Sequence, residues 1–194
     1  MPAPTPHNFT AYDTTRVSIS VRVDGGRNWN ELARLPELER AIRSCPDRYF
    51  VTMTTRRAFT PGIMTAEVGK VLHRVNGKLF GTHYSRKKAV RLAVYAVQER
   101  SLDEGLHTHL IVGVPEGSLA LKANPASLDA GSLIVSEWVD ADPEARRYTA
   151  QDARDVYDFA GTSSYARKTI RSSQGFDNVD LHNCSLPYRS SALS

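Results

Sequence analysis

The sequence predicts an α+β domain: a central antiparallel β-sheet with helices packed on it. Three observations lead there. Several short segments either alternate polar and apolar residues or concentrate β-branched and aromatic ones, as strands do. Two of these, residues 88–99 and 106–114, are joined by a few residues, which suits an antiparallel pair. Residues 65–80 carry apolar side chains at helical spacing and lie between strand-like segments.

In chain order, Pro2, Pro4 and Pro6 make a flexible start, assigned to residues 1–15. The domain proper is expected over 16–170 and an irregular Ser- and Asn-rich tail over 171–194. Residues 16–23 alternate as a half-buried strand does, and Asp24-Gly25-Gly26 ends it as a turn. Asn30 suits the cap of a helix carrying Leu32, Leu35, Leu38 and Ile42, although Pro36 points to a break at Leu35. Residues 48–55 read as a strand. Thr60-Pro61-Gly62 punctuates the chain, and Val68, Val71, Leu72, Val75 and Leu79 then trace the helix over 65–80.

After the strand pair, residues 117–131 suit a short helix and a loop. Residues 132–139 read as a further strand. Thr149, with Asp152 three positions on, predicts a helix cap, with the helix running to about Phe159 and ending at Gly161. A second short helix starting at Ser163 or Ser164 would carry Tyr165.

Composition sets the class. Of 194 residues, 41% are hydrophobic and 24% charged, so the chain can build a core. No run of about 18 apolar residues suggests a membrane span, and the N-terminus lacks the pattern of a signal peptide. The two cysteines, Cys45 and Cys184, form no CxxC. A disulfide framework and a cysteine zinc site are both unexpected, which fits a reducing cytoplasm. The net charge is +4, and its distribution is uneven. Arg86, Lys87, Lys88 and Arg91 form one basic knot and Arg56-Arg57 another, while Glu137, Asp140, Asp142 and Glu144 form an acidic stretch. A local positive face suits phosphate binding; an uneven solvated surface is the plain alternative.

The chemistry concentrates in Gly105-Leu106-His107-Thr108-His109. On a strand, residues two apart share a face, so His107 and His109 project together while Leu106, Thr108 and Leu110 face the other way. A hydrogen-bonded histidine beside a surface one is the ordinary reading of such a pair. Glu99 changes it. If Glu99 stands opposite His107 in the antiparallel pair, Val97 stands opposite His109, and all three polar groups share one face. Two imidazoles and a carboxylate suit Mn²⁺, tolerate Mg²⁺ or Zn²⁺, and leave positions for water or substrate. A one-residue slip would turn the glutamate away.

Further on, Tyr165 and Lys168 would be neighbours on a helix. A tyrosine hydroxyl has a pKa of about 10, and a nearby ammonium helps it react as phenolate. An ordinary surface helix would also supply this pair.

Taken in order, these features resemble the HUH endonucleases, the single-tyrosine rolling-circle replication initiators (Rep) of small single-stranded DNA viruses and plasmids. The family shows an apolar strand ending in Thr, a strand Glu, His-apolar-His, and YxxK on a helix. Here these read Phe50-Val51-Thr52-Met53-Thr54, Glu99, His107-Thr108-His109, and Tyr165 to Lys168. The likeness covers about residues 48–170, and Thr108 is less apolar than the family's usual residue.

The resemblance implies an RRM-like palm and a metal held by Glu99, His107 and His109, with Mn²⁺ or Mg²⁺ as cofactor. It implies Tyr165 as nucleophile, Lys168 as its helper, and a 5′-phosphotyrosyl DNA with a free 3′-OH as product. The partner implied is single-stranded or hairpin origin DNA in the cytoplasm, or in the host nucleus for a eukaryotic virus. GxxxxGK[ST] is absent from the sequence, so a separate helicase is expected if the chain is complete, and an excised nuclease domain is the alternative. Arg56, Arg57, Arg86, Lys87, Lys88, Arg91 and Arg167 are candidate phosphate contacts, and Tyr84 and Tyr95 candidate stacking platforms. His73 and His83 read as structural. Tyr157 is the rival nucleophile, disfavoured by Asp158 beside it and by the lack of a lysine three positions on. A relaxase, a single-strand transposase and a silent origin-binding repressor are the neighbouring alternatives; relaxases usually show a third histidine where Glu99 stands.

Overall fold

A computed structural model describes residues 35–84, 90–101, 105–116, 129–159, 161–162 and 178–187. The strand expected over 16–23, the turn at 24–26, Asn30 and Leu32 lie outside them. So do Arg86, Lys87, Lys88, residues 117–128, Tyr165, Arg167, Lys168 and residues 171–177.

The architecture is α+β, with a four-stranded antiparallel sheet and helices on both of its faces. Helix α1 spans Leu35–Ser44, β1 Asp47–Met53, α2 Pro61–Phe80, β2 Ala93–Ser101, β3 Gly105–Val114, α3 Ala130–Asp140 and β4 Asp152–Asp155. The strand order is β2-β3-β1-β4. None of the described helices is long and apolar enough to cross a membrane.

Side-chain alternation divides the sheet into two faces. Val51, Met53, Leu110, Val112, Val94 and Ala96 pack with α2 and α3 in one apolar cluster. Phe50, Ile111, Ala93, Tyr95 and Val97 pack with Leu35, Leu38 and Ile42 of α1 in the other. Tyr95, expected to stack on bases, is only 2% exposed and belongs to this second core. Its position on a central strand outweighs its value as a surface ring.

Several boundaries differ from expectation. Helix α2 begins at Pro61, four residues before the apolar period becomes legible. Thr60 caps it, its side chain accepting from the Ile63 N–H, and proline at the first helical position loses no intrahelical bond. Strand β2 begins at Ala93 rather than Lys88. Before it, the Leu92 N–H donates to Asn76 Oδ1 and the Arg91 N–H to the Pro187 carbonyl.

Two assignments are overturned. Residues 132–139 are not a strand but the body of α3. Asp129 caps it, accepting from the Ser132 N–H at 2.8 Å. Ile134, Val135, Trp138 and Val139 then form one buried helical face, a spacing that a β-branched run disguises. Trp138 Nε1 donates to the Thr54 carbonyl at 2.8 Å, and Glu137 bridges to Arg74 and Lys78 of α2.

The helix expected from Thr149 to Phe159 is instead a 3₁₀ turn, Tyr148–Ala150, followed by β4. Strand β4 pairs with β1 as Tyr49↔Asp155 through Thr52↔Asp152. The Gln151 side chain closes this edge, accepting from the Thr54 N–H and donating to the Thr54 carbonyl. Unpaired β1 backbone is the reason: a short polar segment can satisfy it as an edge strand. Gly161 likewise does not end a helix. It is helical with Phe159 and Thr162, and its N–H is capped by Asp158.

One glycine allows α1 to approach closely. A Cβ on Gly113 would meet Cys45 Sγ at 2.8 Å and Ile42 Cα at 3.1 Å. Gly113→Ala is therefore expected to cost about 1–3 kcal/mol of stability through overpacking. Urea denaturation checks this, and an unchanged midpoint would show that α1 can shift at no cost.

Candidate metal centre

The β2–β3 register pairs Glu99 with His107 and Val97 with His109. A hairpin whose strands run antiparallel fixes facing residues, so all three polar side chains emerge on the α1 face near the hairpin end. Both histidine side chains are under 10% exposed, whereas that of Glu99 is one-third exposed. Glu99 Oε2 lies 3.4 Å from His109 Nε2 and 3.9 Å from His107 Nε2. One donor atom from each residue lies within 4.8 Å of the others. Donors about 2.0–2.2 Å from a shared ion stand roughly 3–4 Å apart, so small side-chain adjustments close the set.

The surroundings orient the rings. His107 Nδ1 lies 3.3 Å from the Gly105 carbonyl. A carbonyl only accepts, so Nδ1 carries the proton and Nε2 keeps its lone pair toward Glu99. His109 Nδ1 lies 3.0 Å from Thr52 Oγ1, and the ring stacks on Phe50 at 5.2 Å between centroids. In the tautomer whose Nδ1–H donates to this hydroxyl, His109 Nε2 presents its lone pair toward Glu99. Such outer partners hold ligands in place and tune their affinity. The donor set therefore fits a divalent ion such as Mn²⁺, Mg²⁺ or Zn²⁺.

The sequence marks Phe50 and Thr52 only as part of a strand motif, and neither their contacts with His109 nor the part of the Gly105 carbonyl is legible there. Alternation along β1 puts Phe50 and Thr52 on one face. Only the β1–β3 register, Thr52↔His109, shows that this face is the histidine face.

Gly105 has φ of +71°, a left-handed conformation that sets the direction of its carbonyl. Its Cβ position is open space, so strain rather than a clash governs replacement. Gly105→Ala is expected to weaken divalent-metal binding about tenfold or more, with Gly105→Asn closer to wild type because Asn tolerates this region better. Calorimetric titration measures it; equal affinity for the alanine variant would separate the carbonyl from the site.

Other sequence candidates are scattered. Arg56 and Arg57 are exposed where β1 leaves the sheet, and Arg57 pairs with Asp142. Arg91 sits across the sheet beside a cleft shared with Tyr84 and His73. Tyr84 hydrogen-bonds His73 rather than standing free. Tyr157 is 89% exposed, and its hydroxyl donates to Asp155 at 2.9 Å. That hydrogen bond, together with the carboxylate charge, raises its pKa and holds it as the phenol. Burial pushes the Cys45 thiol up to about 11 and, aided by nearby aspartates, the Tyr49 phenol to about 12. Neither suits a nucleophile at neutral pH.

Phe159 joins the α1-side cluster, with the Arg43 guanidinium 5.0 Å from its ring centroid. A cleft of about 390 Å³ lies between this helical turn and the sheet, walled by Thr52 and Phe50 on one side and by Asp158, Gly161 and Thr162 on the other. Phe159, Gly161 and Thr162 therefore lie on the face that carries both histidines. No family model, curated protein or solved structure matches the chain, and the chemistry of the site rests on its own residues.

Proposed function

We propose that this chain is a metal-dependent endonuclease and strand transferase for single-stranded DNA, working through a covalent phosphotyrosine at Tyr165. The observation that carries this reading is the convergence of Glu99, His107 and His109 on one sheet face. The helical turn at Phe159, just upstream of Tyr165, packs on that same face and supports it.

In this reading Glu99, His107 Nε2 and His109 Nε2 hold Mn²⁺ or Mg²⁺. When bound, the ion supplies Lewis acidity toward a non-bridging oxygen of a phosphodiester. Tyr165 gives up its phenolic proton and its oxygen attacks phosphorus in line. The bond from phosphorus to the 3′ oxygen breaks, and that oxygen takes up a proton. The products are 5′-phosphotyrosyl DNA and a free 3′-OH. Lys168 lowers the cost of the phenolate and favours the phosphate. Because the phosphodiester energy is kept in the tyrosyl link, the reverse step rejoins strands. A 3′-OH made this way primes synthesis, which is the first step of rolling-circle replication.

Incubation with a pool of labelled oligonucleotides and Mn²⁺, followed by a denaturing gel, tests this. A covalent adduct is expected with single-stranded and hairpin-loop DNA, not with blunt duplex, and none in EDTA. Equal cutting of duplex, or full cleavage in EDTA, would overturn the reading.

A further inference from the structure

A further cleft, of about 570 Å³, opens at the same end of the sheet as the metal centre. It is lined by Arg56, Arg57, Phe59, Arg100, Gly105 and Leu106, among others. Its volume lies within the range of about 300–1,000 Å³ typical of ligand sites. Two links tie it to the metal centre. Gly105, at its rim, also offers the carbonyl that orients His107. Arg100 follows Glu99 on β2, so alternation sends the two side chains to opposite faces of the hairpin end.

The charge of the cleft is only partly compensated. Arg57 is neutralised by Asp142. Arg56 and Arg100 are exposed, and neither has an ion pair among the described residues. The backbone of Arg56 is anchored, its N–H donating to the Ala145 carbonyl at 2.9 Å. Phe59 is half-buried, packs against the α2-side cluster with the Arg146 guanidinium 5.8 Å from its ring centroid, and lines the cleft with the arginines. Two unpaired guanidinium groups beside an aromatic ring suit a phosphodiester and its base.

We propose that this cleft is a phosphodiester subsite for single-stranded DNA, with Arg56 and Arg100 holding backbone phosphate and Phe59 receiving a base, so that the strand wraps the β2–β3 hairpin end from the metal face to the α2 face. This rests on the single-stranded DNA reading above, and it adds a position and two residues that the metal site does not require. Arg100 is the informative member: it lies outside every basic knot in the sequence, and only the fold sets it beside Arg56.

Fluorescence anisotropy of a labelled oligothymidylate in EDTA tests the proposal without metal or cleavage. The Arg56→Ala/Arg100→Ala double variant is expected to bind about tenfold or more weakly. Its slope of log affinity against log salt should become shallower by about 0.7 for each phosphate that the two guanidinium groups neutralise in wild type. Arg40→Ala, an exposed arginine on α1, should change binding less than about twofold. Manganese titration should give the same affinity in both variants as in wild type. If wild type binds the oligonucleotide and the double variant binds equally well, or no worse than Arg40→Ala, the subsite falls and the endonuclease reading stands. If inorganic phosphate displaces the oligonucleotide fully where chloride at the same ionic strength does not, the cleft is a free-anion site and the proposal also falls. If wild type does not bind single-stranded DNA, both fall.

Discussion

Tyr165→Phe is expected to bind single-stranded DNA and divalent metal as wild type does and to form no covalent adduct. The substitution keeps the aromatic ring and removes only the attacking oxygen, so packing and binding have no cause to change. The loss of adduct formation should far exceed the 2–4 orders of magnitude typical of losing one acid–base helper. Lys168→Ala should slow the reaction without abolishing it, because a phenolate still forms at higher pH. Tyr157→Phe should retain adduct formation, since its hydroxyl is tied to Asp155 and its pKa is raised by that contact. Peptide mapping of the DNA-linked protein decides between them. A phosphotyrosyl link on Tyr157, or an adduct formed by the Tyr165→Phe protein, would overturn the assignment.

Loss of a metal ligand should be almost as severe. His109→Ala removes one of the three candidate donors and leaves Glu99 and His107 from the set among the described residues. Outer-shell changes at metal sites already weaken binding about 10–100-fold, so a lost ligand should weaken it by more than about 100-fold. Nicking should fall in parallel and recover in part with excess Mn²⁺. The side chain is buried, bonded to Thr52 and stacked on Phe50, so the variant should also lose about 1–3 kcal/mol of stability. Thermal melts must therefore accompany the titration. A folded His109→Ala protein with wild-type manganese affinity would remove this histidine from the metal centre. His107→Ala should behave similarly, with loss of the bond to Gly105 in place of the stacking.

The candidate site was more legible in the sequence than the fold around it. Glu99, His107 and His109 lie on two strands joined by a short connection. Such a hairpin fixes its register locally, so counting eight positions and applying strand alternation placed all three on one face. The α2 period was legible for the same local reason. Its start was not, because Thr60-Pro61-Gly62 suits a turn as well as it suits a cap.

Neighbouring residues thus settled the α+β class and the two-histidine strand from the sequence, and offered the facing glutamate as one register that the β2–β3 pairing then fixed. Tertiary structure decided the rest. Residues 132–139 carry a strand-like β-branched run, yet their buried face matches α2 and the sheet, and packing made them a helix. Asp152–Asp155 has little strand propensity, and the unpaired edge of β1 recruited it. Thr52 reaches His109 across 57 positions of chain, and Arg100 and Arg56 line one cleft only because the fold brings the end of β1 and the hairpin end together. Pairings across such spans of chain depend on loop closure and on which apolar faces find each other, and no local pattern of residues encodes either.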